Sequence, residues 1–155
     1  MNGAILDPTG MYRYSLWRTV GNNNKKAAFI MLNPSTADEK IDDTTLKKCM
    51  YYAKTWGFGK LEVVNLFALR STDPANLKLS VDPIGPENDI YLHAAVKSAD
   101  RVFAAWGEKG ILLGRDKTVL SMFPHTSIYA LKMTTKGQPR HPLYLPNNIQ
   151  PFLFK

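Results

Sequence analysis

Residues 29–38 read Phe-Ile-Met-Leu-Asn-Pro-Ser-Thr-Ala-Asp, an apolar run that ends at Asn33 and passes into a polar turn. Residues 61–70 read Leu-Glu-Val-Val-Asn-Leu-Phe-Ala-Leu-Arg, in which a second apolar run ends at Asn65. Short apolar runs of this kind are typical of strands buried inside a parallel sheet. Because ligands of open α/β sheets bind just past the carboxyl ends of strands, we expect Asn33 and Asn65 to lie side by side at one cleft.

Buried strands alternate with helices along the rest of the chain. The pattern predicts helices over residues 44–56, 86–98 and 111–122, and strands over residues 27–32, 61–65, 101–106 and 127–131. Such alternation favours one α/β domain over residues 1–155, a three-layer α/β/α sandwich with a central, four-stranded, mainly parallel sheet. Residues 11–32 are expected to form an N-terminal β-hairpin, because a partly alternating segment and a Gly-Asn-Asn-Asn turn precede the first buried run.

The composition is that of an ordinary globular protein with an excess of positive charge. Of the 155 residues, 45% are hydrophobic and 21% are charged, and the formal net charge is +7. A basic protein gains affinity for polyanions through counterion release, so we expect nucleic acid (DNA first) or a nucleotide as the partner. Solubility alone is the other explanation of this charge. The sequence leaves the oligomeric state open.

Cysteine content and hydropathy exclude several other classes of protein. The single cysteine, Cys49, rules out a disulfide framework and a cysteine-based zinc or iron–sulfur site, and it suits a reducing, cytoplasmic setting. The three histidines lack the spacing of metal ligands, so we expect neither a metal nor a cofactor. No apolar run approaches the roughly 18 residues of a membrane span, and the first residues lack the features of a signal peptide.

Asn33, Asn65 and His141 are the candidate groups for chemistry. A carboxamide offers one acceptor and two donors, which suits reading the edge of a uracil- or cytosine-like base or orienting a water molecule. His141 stands between Arg140 and Pro142, and a neutral imidazole N–H there is able to stabilise a departing oxyanion. Structural alternatives are open for each group, because asparagine is a common turn residue at strand ends and the histidine equally suits an exposed loop.

Residues near the two strand ends supply further candidates. Asp38, like Asp42 and Asp43 after it, offers a carboxylate to activate water or to offset positive charge on a sugar. Helix capping is the favoured explanation for Asp42 and Asp43. Core packing is the alternative explanation for Phe67 and Trp106. A turn is the alternative explanation for Ser35 and Thr36. The residues expected to contact a base or a phosphate are Pro34, Ser35, Thr36, Phe67, Arg70, Trp106, Gly107 and Arg140.

The order of these motifs resembles that of the uracil-DNA glycosylase superfamily. The segments that carry the resemblance are Leu32-Asn-Pro34, Val64-Asn65 with the following Arg70, Phe103-Ala-Ala-Trp-Gly107, and His141-Pro142. The resemblance implies a glycosylase-like fold in which Asn33 faces the water or the sugar, Asn65 reads the base and His141 stabilises the leaving group. It also implies hydrolysis of the N-glycosidic bond of a flipped base. No aspartate stands at the Asn33 position, which departs from the most active form of that chemistry.

Over most of its length the chain also resembles an uncharacterised bacterial and phage family, a domain of unknown function. The shared segments are Leu32-Asn-Pro-Ser-Thr-Ala-Asp38, Asp42-Asp-Thr44, Asn65-Leu-Phe-Ala68, Trp106-Gly107 and Arg140-His-Pro-Leu-Tyr144. This second resemblance implies no activity. Two hypotheses therefore stand: a DNA glycosylase-like hydrolase, and a non-catalytic binder of nucleic acid or nucleotide at the same cleft. A protein-interaction module without either property is the third.

Overall fold

One mixed sheet of seven strands forms the centre of the computed structural model, which describes residues 1–155. Three α-helices and two 3₁₀ segments complete the fold. The strands are β1 (Gly3–Leu6), β2 (Arg13–Thr19), β3 (Lys26–Met31), β4 (Lys60–Asn65), β5 (Arg101–Ala104), β6 (Ile128–Ala130) and β7 (Phe152–Leu153). The helices are α1 (Thr44–Thr55), α2 (Asn88–Ser98) and α3 (Arg115–Ser121), and the 3₁₀ segments cover Pro74–Leu79 and Glu108–Gly114. None of the helices has the length and apolar character needed to cross a membrane.

The middle of the sheet is parallel and its margins are antiparallel. The spatial order of the strands is β1-β2-β4-β3-β5-β6-β7. Strand β3 runs parallel to both β4 and β5, and β5 runs parallel to β6. The predicted α/β class is therefore confirmed, and all four predicted strands are present. The predicted size of the sheet is wrong, because β1, β2 and β7 extend it with antiparallel pairs.

The predicted hairpin over residues 11–32 is also wrong. Strand β2 does not pair with β3; it lies between β1 and β4, with Leu16 opposite Val63. The reason is that β3 is apolar on both faces and has a parallel neighbour along each edge, which leaves no edge free for β2. The N-terminal hairpin that does form joins β1 to β2.

Side chains of β3 point alternately into two separate hydrophobic clusters. Phe29 and Met31 pack in the cluster under α1, whereas Ala28 and Ile30 pack in the cluster under α2 and α3. Helices thus cover both faces of the sheet. Burying each large apolar side chain contributes about 1.5–3 kcal/mol, so the two clusters fix β3 and with it the position of Asn33.

Helix α1 begins where the sequence predicts. The Asp43 carboxylate accepts a hydrogen bond from the Leu46 backbone N–H at 2.8 Å and caps the helix. The neighbouring Asp42 does not cap; it pairs with the Arg18 guanidinium at 2.8 Å. The cap fixes the end of the loop between β3 and α1, which covers the carboxyl end of the sheet.

The last third of the chain contains a broken helix and a strand that completes the sheet. The predicted helix over residues 111–122 is broken, because Leu113 and Gly114 have φ of +56° and +63° and separate a 3₁₀ segment from α3. A run of left-handed residues cannot continue a right-handed helix. The C-terminal tail returns to the sheet, where β7 pairs with β6.

Candidate functional site

A cavity of about 220 Å³ opens at the carboxyl ends of β3 and β4. Asn33, Asn65 and His141 all line it, although they are far apart in the chain. The structure therefore brings together the three groups for which the sequence predicts a common cleft. The other polar or small lining residues are Arg13, Pro34, Ser35, Ala37, Asp43, Thr45, Cys49, Ser71, Thr72 and Pro74.

Asn65 is the polar side chain of this cavity with the least compensation. It is 1% exposed, and neither its Nδ2 nor its Oδ1 has a hydrogen-bond partner. A buried polar group without a partner costs about 1–3 kcal/mol, and native proteins contain few of them. The Asn65 carboxamide therefore holds an unused donor and an unused acceptor in the wall of the cavity.

The backbone around Asn65 is held firmly, unlike its side chain. Nδ2 of Asn88 donates to the carbonyls of Asn65 and Leu66 at 2.9 and 3.1 Å. Nε of Arg115 donates to the same Leu66 carbonyl at 2.7 Å, and Arg115 also pairs with Asp89 at 2.5 Å. Asn88 and Arg115 are supporting residues that sequence reasoning missed, since nothing in the local pattern links them to β4. They fix the strand end from which the Asn65 side chain projects.

The amide nitrogen of Asn33 makes structural hydrogen bonds, and its amide oxygen is free. Its Nδ2 donates to the carbonyls of Pro34, Leu69 and Ser71 at 3.1, 3.4 and 2.9 Å. Because Nδ2 faces carbonyl oxygens, the orientation of the amide is determined, and Oδ1 accepts no hydrogen bond from the protein. Asn33 is thus a turn residue, as one alternative held, and also offers an acceptor at the cavity.

The imidazole of His141 is set up as a neutral donor. Its Nδ1 accepts a hydrogen bond from the Leu143 backbone N–H at 3.2 Å, so in the neutral ring the proton resides on Nε2. Burial lowers the pKa of His141 below its ordinary value, and the nearby Asp43 charge opposes this only in part. At neutral pH the Nε2–H group is therefore available as a donor.

Arg13 is a cavity residue that the sequence analysis missed. It is 4% exposed, its Nη1 donates to the Ala37 carbonyl at 3.0 Å, and its Nε has no partner. Burial lowers the pKa of Arg13 to about 10, with the Asp43 charge acting in the opposite direction. The guanidinium remains positive at neutral pH. No sequence signal separates it from Arg18 on the same strand.

Asp43, rather than Asp38, is the carboxylate that lines the cavity. The structure leaves Asp38 outside, where its Oδ1 accepts from the backbone N–H groups of Lys40 and Ile41 at 2.9 and 2.8 Å. These bonds lower the pKa of Asp38 and make it a turn residue of the loop. Asp43 both caps α1 and contributes the negative charge of the cavity.

Thr36, Arg70 and Asp38 line a neighbouring surface depression, and Ser35 lies on the rim of both. Arg70 donates to the carbonyls of Ser35 and Gly10, each at 3.3 Å. Its guanidinium therefore ties loops together as well as facing solvent. The structure brings Ser35 to the three central groups and keeps Thr36 and Arg70 beside them.

The two aromatic candidates pack in the core on the other face of the sheet. Phe67 and Trp106 are fully or almost fully buried in the cluster under α2 and α3, so the predicted base stacking does not occur at this cavity. Nε1 of Trp106 donates to Oε1 of Gln138 at 2.9 Å. Hydrophobic burial explains both residues.

Gly107 supports the loop that carries His141. Its φ is +76°, a conformation that favours glycine, and its N–H donates to the Pro139 carbonyl at 2.8 Å. A Cβ at this position would lie 3.9 Å from Cβ of His141, an ordinary contact. Arg140 is exposed and does not line the cavity.

Cys49 lines the cavity but is not prepared for nucleophilic chemistry. It is buried, and burial raises the pKa of its thiol far above the ordinary value. The thiolate is the reactive form of cysteine. Cys49 therefore forms part of the apolar wall.

A family model described as "Protein of unknown function (DUF1643)" matches residues 13–143. The chain belongs to this family. The sequence-based assignment to an uncharacterised domain family is therefore confirmed, and the resemblance of DUF1643 to uracil-DNA glycosylases stays a prediction. The DUF1643 region begins at Arg13 and includes His141, so every residue that lines the cavity lies within it. No curated protein and no solved structure matches the chain.

Proposed function

We propose that this DUF1643 protein recognises a nucleobase in the cavity and hydrolyses its N-glycosidic bond in DNA or in a nucleotide. One observation carries the proposal: the buried Asn65 carboxamide has no partner for its donor or its acceptor and shares the cavity with His141. A donor and an acceptor side by side complement the amide-like edge of a uracil- or cytosine-like ring.

The size of the cavity supports a ligand of one ring. Drug-sized molecules occupy pockets of about 300–1,000 Å³, whereas this cavity measures about 220 Å³. A single base fits such a space if its sugar stays at the mouth, as in enzymes that turn a base out of the stack. The net charge of +7 favours a polyanionic partner outside the cavity.

The proposed reaction breaks the bond between the sugar C1′ and the base nitrogen. The base leaves with the bonding electron pair, and Nε2–H of His141 donates to the oxyanion that develops on it. Water adds its oxygen to C1′ while Oδ1 of Asn33 accepts a hydrogen bond from it. Asp43 takes the role first assigned to Asp38: it offsets the positive charge on the sugar and accepts the proton that the water releases.

Release of free base from defined substrates tests the proposal. The panel consists of oligonucleotides that contain uracil, deaminated purines or modified pyrimidines, together with the corresponding nucleotides, and chromatography detects the released base. We expect release from at least one substrate. His141→Ala should lower the rate about 10²–10³-fold while leaving binding intact, because it removes one donor to the leaving group.

Lys117→Gln is the matched control for this test, since Lys117 is exposed on α3 and lies away from the cavity. It should leave base release unchanged. Failure to release any base at high protein concentration would remove the hydrolase proposal.

A non-catalytic binder is the second candidate, and the hydrogen bonds of the site favour it in one respect. Nδ2 of Asn33 is committed to three carbonyls, and Nδ1 of His141 is committed to the Leu143 backbone. Neither group is therefore free to relay protons. A binder would retain affinity for a base without releasing it, and Asn65→Leu would abolish that affinity. A protein-interaction module would show no affinity for nucleotides or nucleic acid at low salt.

A further inference from the structure

Three arginines of this chain are almost fully buried, and only one of them has no carboxylate partner. Arg18 pairs with Asp42 and Arg115 pairs with Asp89. Arg13 is 4% exposed and takes part in none of the chain's salt bridges. A buried charge without a partner is costly, and proteins usually pair such a group with an opposite charge.

Arg13 also lacks hydrogen-bond acceptors for most of its N–H donors. A guanidinium carries five N–H donors. The protein accepts only from Nη1, through the Ala37 carbonyl at 3.0 Å, and Nε is fully buried without an acceptor. Arg13 lines the same cavity as Asn65, where the other unpartnered groups of the site lie. Nη2 likewise has no partner in the protein, and the cavity is the space from which an acceptor can approach the guanidinium.

Charges at longer range compensate the burial of Arg13 only in part, and the strongest of them is Asp43. The groups that act on it at longer range are two carboxylates, Asp43 and Asp38, and two guanidiniums, Arg70 and Arg18, whose influences oppose each other. The fork of an arginine matches the two oxygens of a carboxylate or a phosphate. Ser35 lines the same cavity and its hydroxyl supplies an additional donor for such a group, whereas the Ser71 hydroxyl already donates to the Asp73 carbonyl at 2.8 Å.

We propose that Arg13 binds an oxyanion of the ligand, so that the preferred ligand is a nucleobase derivative that carries a phosphate or a carboxylate. The nucleobase part of this statement rests on the function proposed above, whereas the oxyanion part rests on Arg13 alone. The substrate class narrows accordingly from any nucleobase to a carboxylated pyrimidine, whose oxyanion enters the cavity with the ring, or to a free nucleoside monophosphate that places its phosphate at Arg13.

Calorimetric titration of the purified full chain tests this proposal. The probes are the four common ribonucleosides, their 5′-monophosphates, orotate as a carboxylated pyrimidine, and inorganic phosphate. We expect at least one anionic probe to bind about 10- to 100-fold more tightly than its neutral counterpart, the range that corresponds to a charge-assisted hydrogen bond. A preference for monophosphates identifies phosphate as the oxyanion, and a preference for orotate identifies carboxylate.

Two variants make the test specific. Arg13→Gln should abolish the preference for the anionic probe and leave neutral nucleosides bound as before, and Arg13→Lys should restore only part of it, because lysine lacks the fork. Lys117→Gln changes the net charge equally on the exposed surface and should alter nothing. If Arg13→Gln does not fold, the ratio of anionic to neutral affinity in the unmodified chain decides the question.

The outcomes separate the two proposals. Equal binding of the neutral nucleosides, their monophosphates and orotate would overturn the role of Arg13 and leave the nucleobase function standing. Binding of inorganic phosphate alone, lost in Arg13→Gln, would support the oxyanion site and overturn nucleobase recognition. Absence of binding by every probe would overturn the role of Arg13, and the base-release assay on oligonucleotides then decides the nucleobase function separately.

Discussion

The two ends of strand β2 place a buried arginine in opposite circumstances. At one end, Arg18 is 2% exposed and donates to the Asp42 carboxylate and to the backbone carbonyls of Gly3, Trp17, Asp38 and Ile41. At the other end, Arg13 donates to one carbonyl and has no ion pair. The protein itself supplies the hydrogen-bond acceptors of Arg18, whereas Arg13 has N–H donors without an acceptor beside a cavity. This difference distinguishes a structural arginine from one that serves a ligand.

The same contrast holds for the two buried asparagines near the end of β4. Nδ2 of Asn88 donates to two carbonyls, although its Oδ1 has no partner, whereas Asn65 has no side-chain partner at all. Of the five buried side-chain atoms without a partner, three belong to Arg13 and Asn65. Uncompensated polarity in this fold is therefore concentrated at the cavity.

Replacing Arg18 or Arg13 by methionine should give two variants with the largest difference in free energy of unfolding. Arg18→Met leaves Asp42 and the loop carbonyls without their donor, and we expect the free energy of unfolding to fall by about 3 kcal/mol. Arg13→Met should stay within about 1 kcal/mol of the unmodified protein, because loss of one hydrogen bond is offset by relief of a buried charge. Urea denaturation measures both. Equal losses would contradict the contrast between the two ends.

The two asparagines should respond to leucine in opposite directions. Asn65→Leu removes two unpartnered polar atoms, and we expect a gain in stability of about 1–2 kcal/mol together with loss of ligand binding. Asn88→Leu deletes the bonds to the end of β4 and should cost about 2 kcal/mol. Thermal denaturation with a binding assay distinguishes them. A destabilised Asn65→Leu would show that the side chain has a structural role.

Two substitutions of Asp43 separate its capping of α1 from the effect of its charge on His141. Asp43→Ala removes the cap of α1 and should cost about 1 kcal/mol, whereas Asp43→Asn retains a capping side chain and should cost little. Both variants remove the negative charge that raises the pKa of His141, so that pKa should fall further in each. Titration by NMR measures it. An unchanged His141 pKa in Asp43→Asn would show that the carboxylate does not act on the imidazole.

The smallest expected effect is the pH dependence that His141 contributes. Because burial lowers its pKa in the folded state, the unfolded chain binds more protons as the pH falls through about 6.5, and stability decreases there. Above that pH the contribution vanishes. The difference in unfolding free energy between the unmodified protein and His141→Gln, followed from pH 8 to pH 5, isolates this contribution. A stability that rises relative to the variant on acidification would contradict the lowered pKa.

The proximity of Asn33 and Asn65 was predictable from the sequence. Both residues follow buried strands, and neighbouring parallel strands end at the same edge of a sheet. The pairing of β2 was not predictable, because local alternation identifies a strand without identifying its neighbour. Arg13 was not predictable either, since it differs from Arg18 only in partners that come from distant segments. Burial of Phe67 and Trp106 depends in the same way on which face of the sheet each residue occupies.

The Asn33 amide joins the loop after β3 to the loop after β4, because its Nδ2 bonds to carbonyls of both. The Ser71 N–H donates to the Pro34 carbonyl at 2.9 Å across the same junction. The two loops consequently form one cooperative unit for local opening, and their amide protons should exchange with solvent together. A molecule that fills the space beneath them would slow exchange in both segments at once, including positions it does not touch.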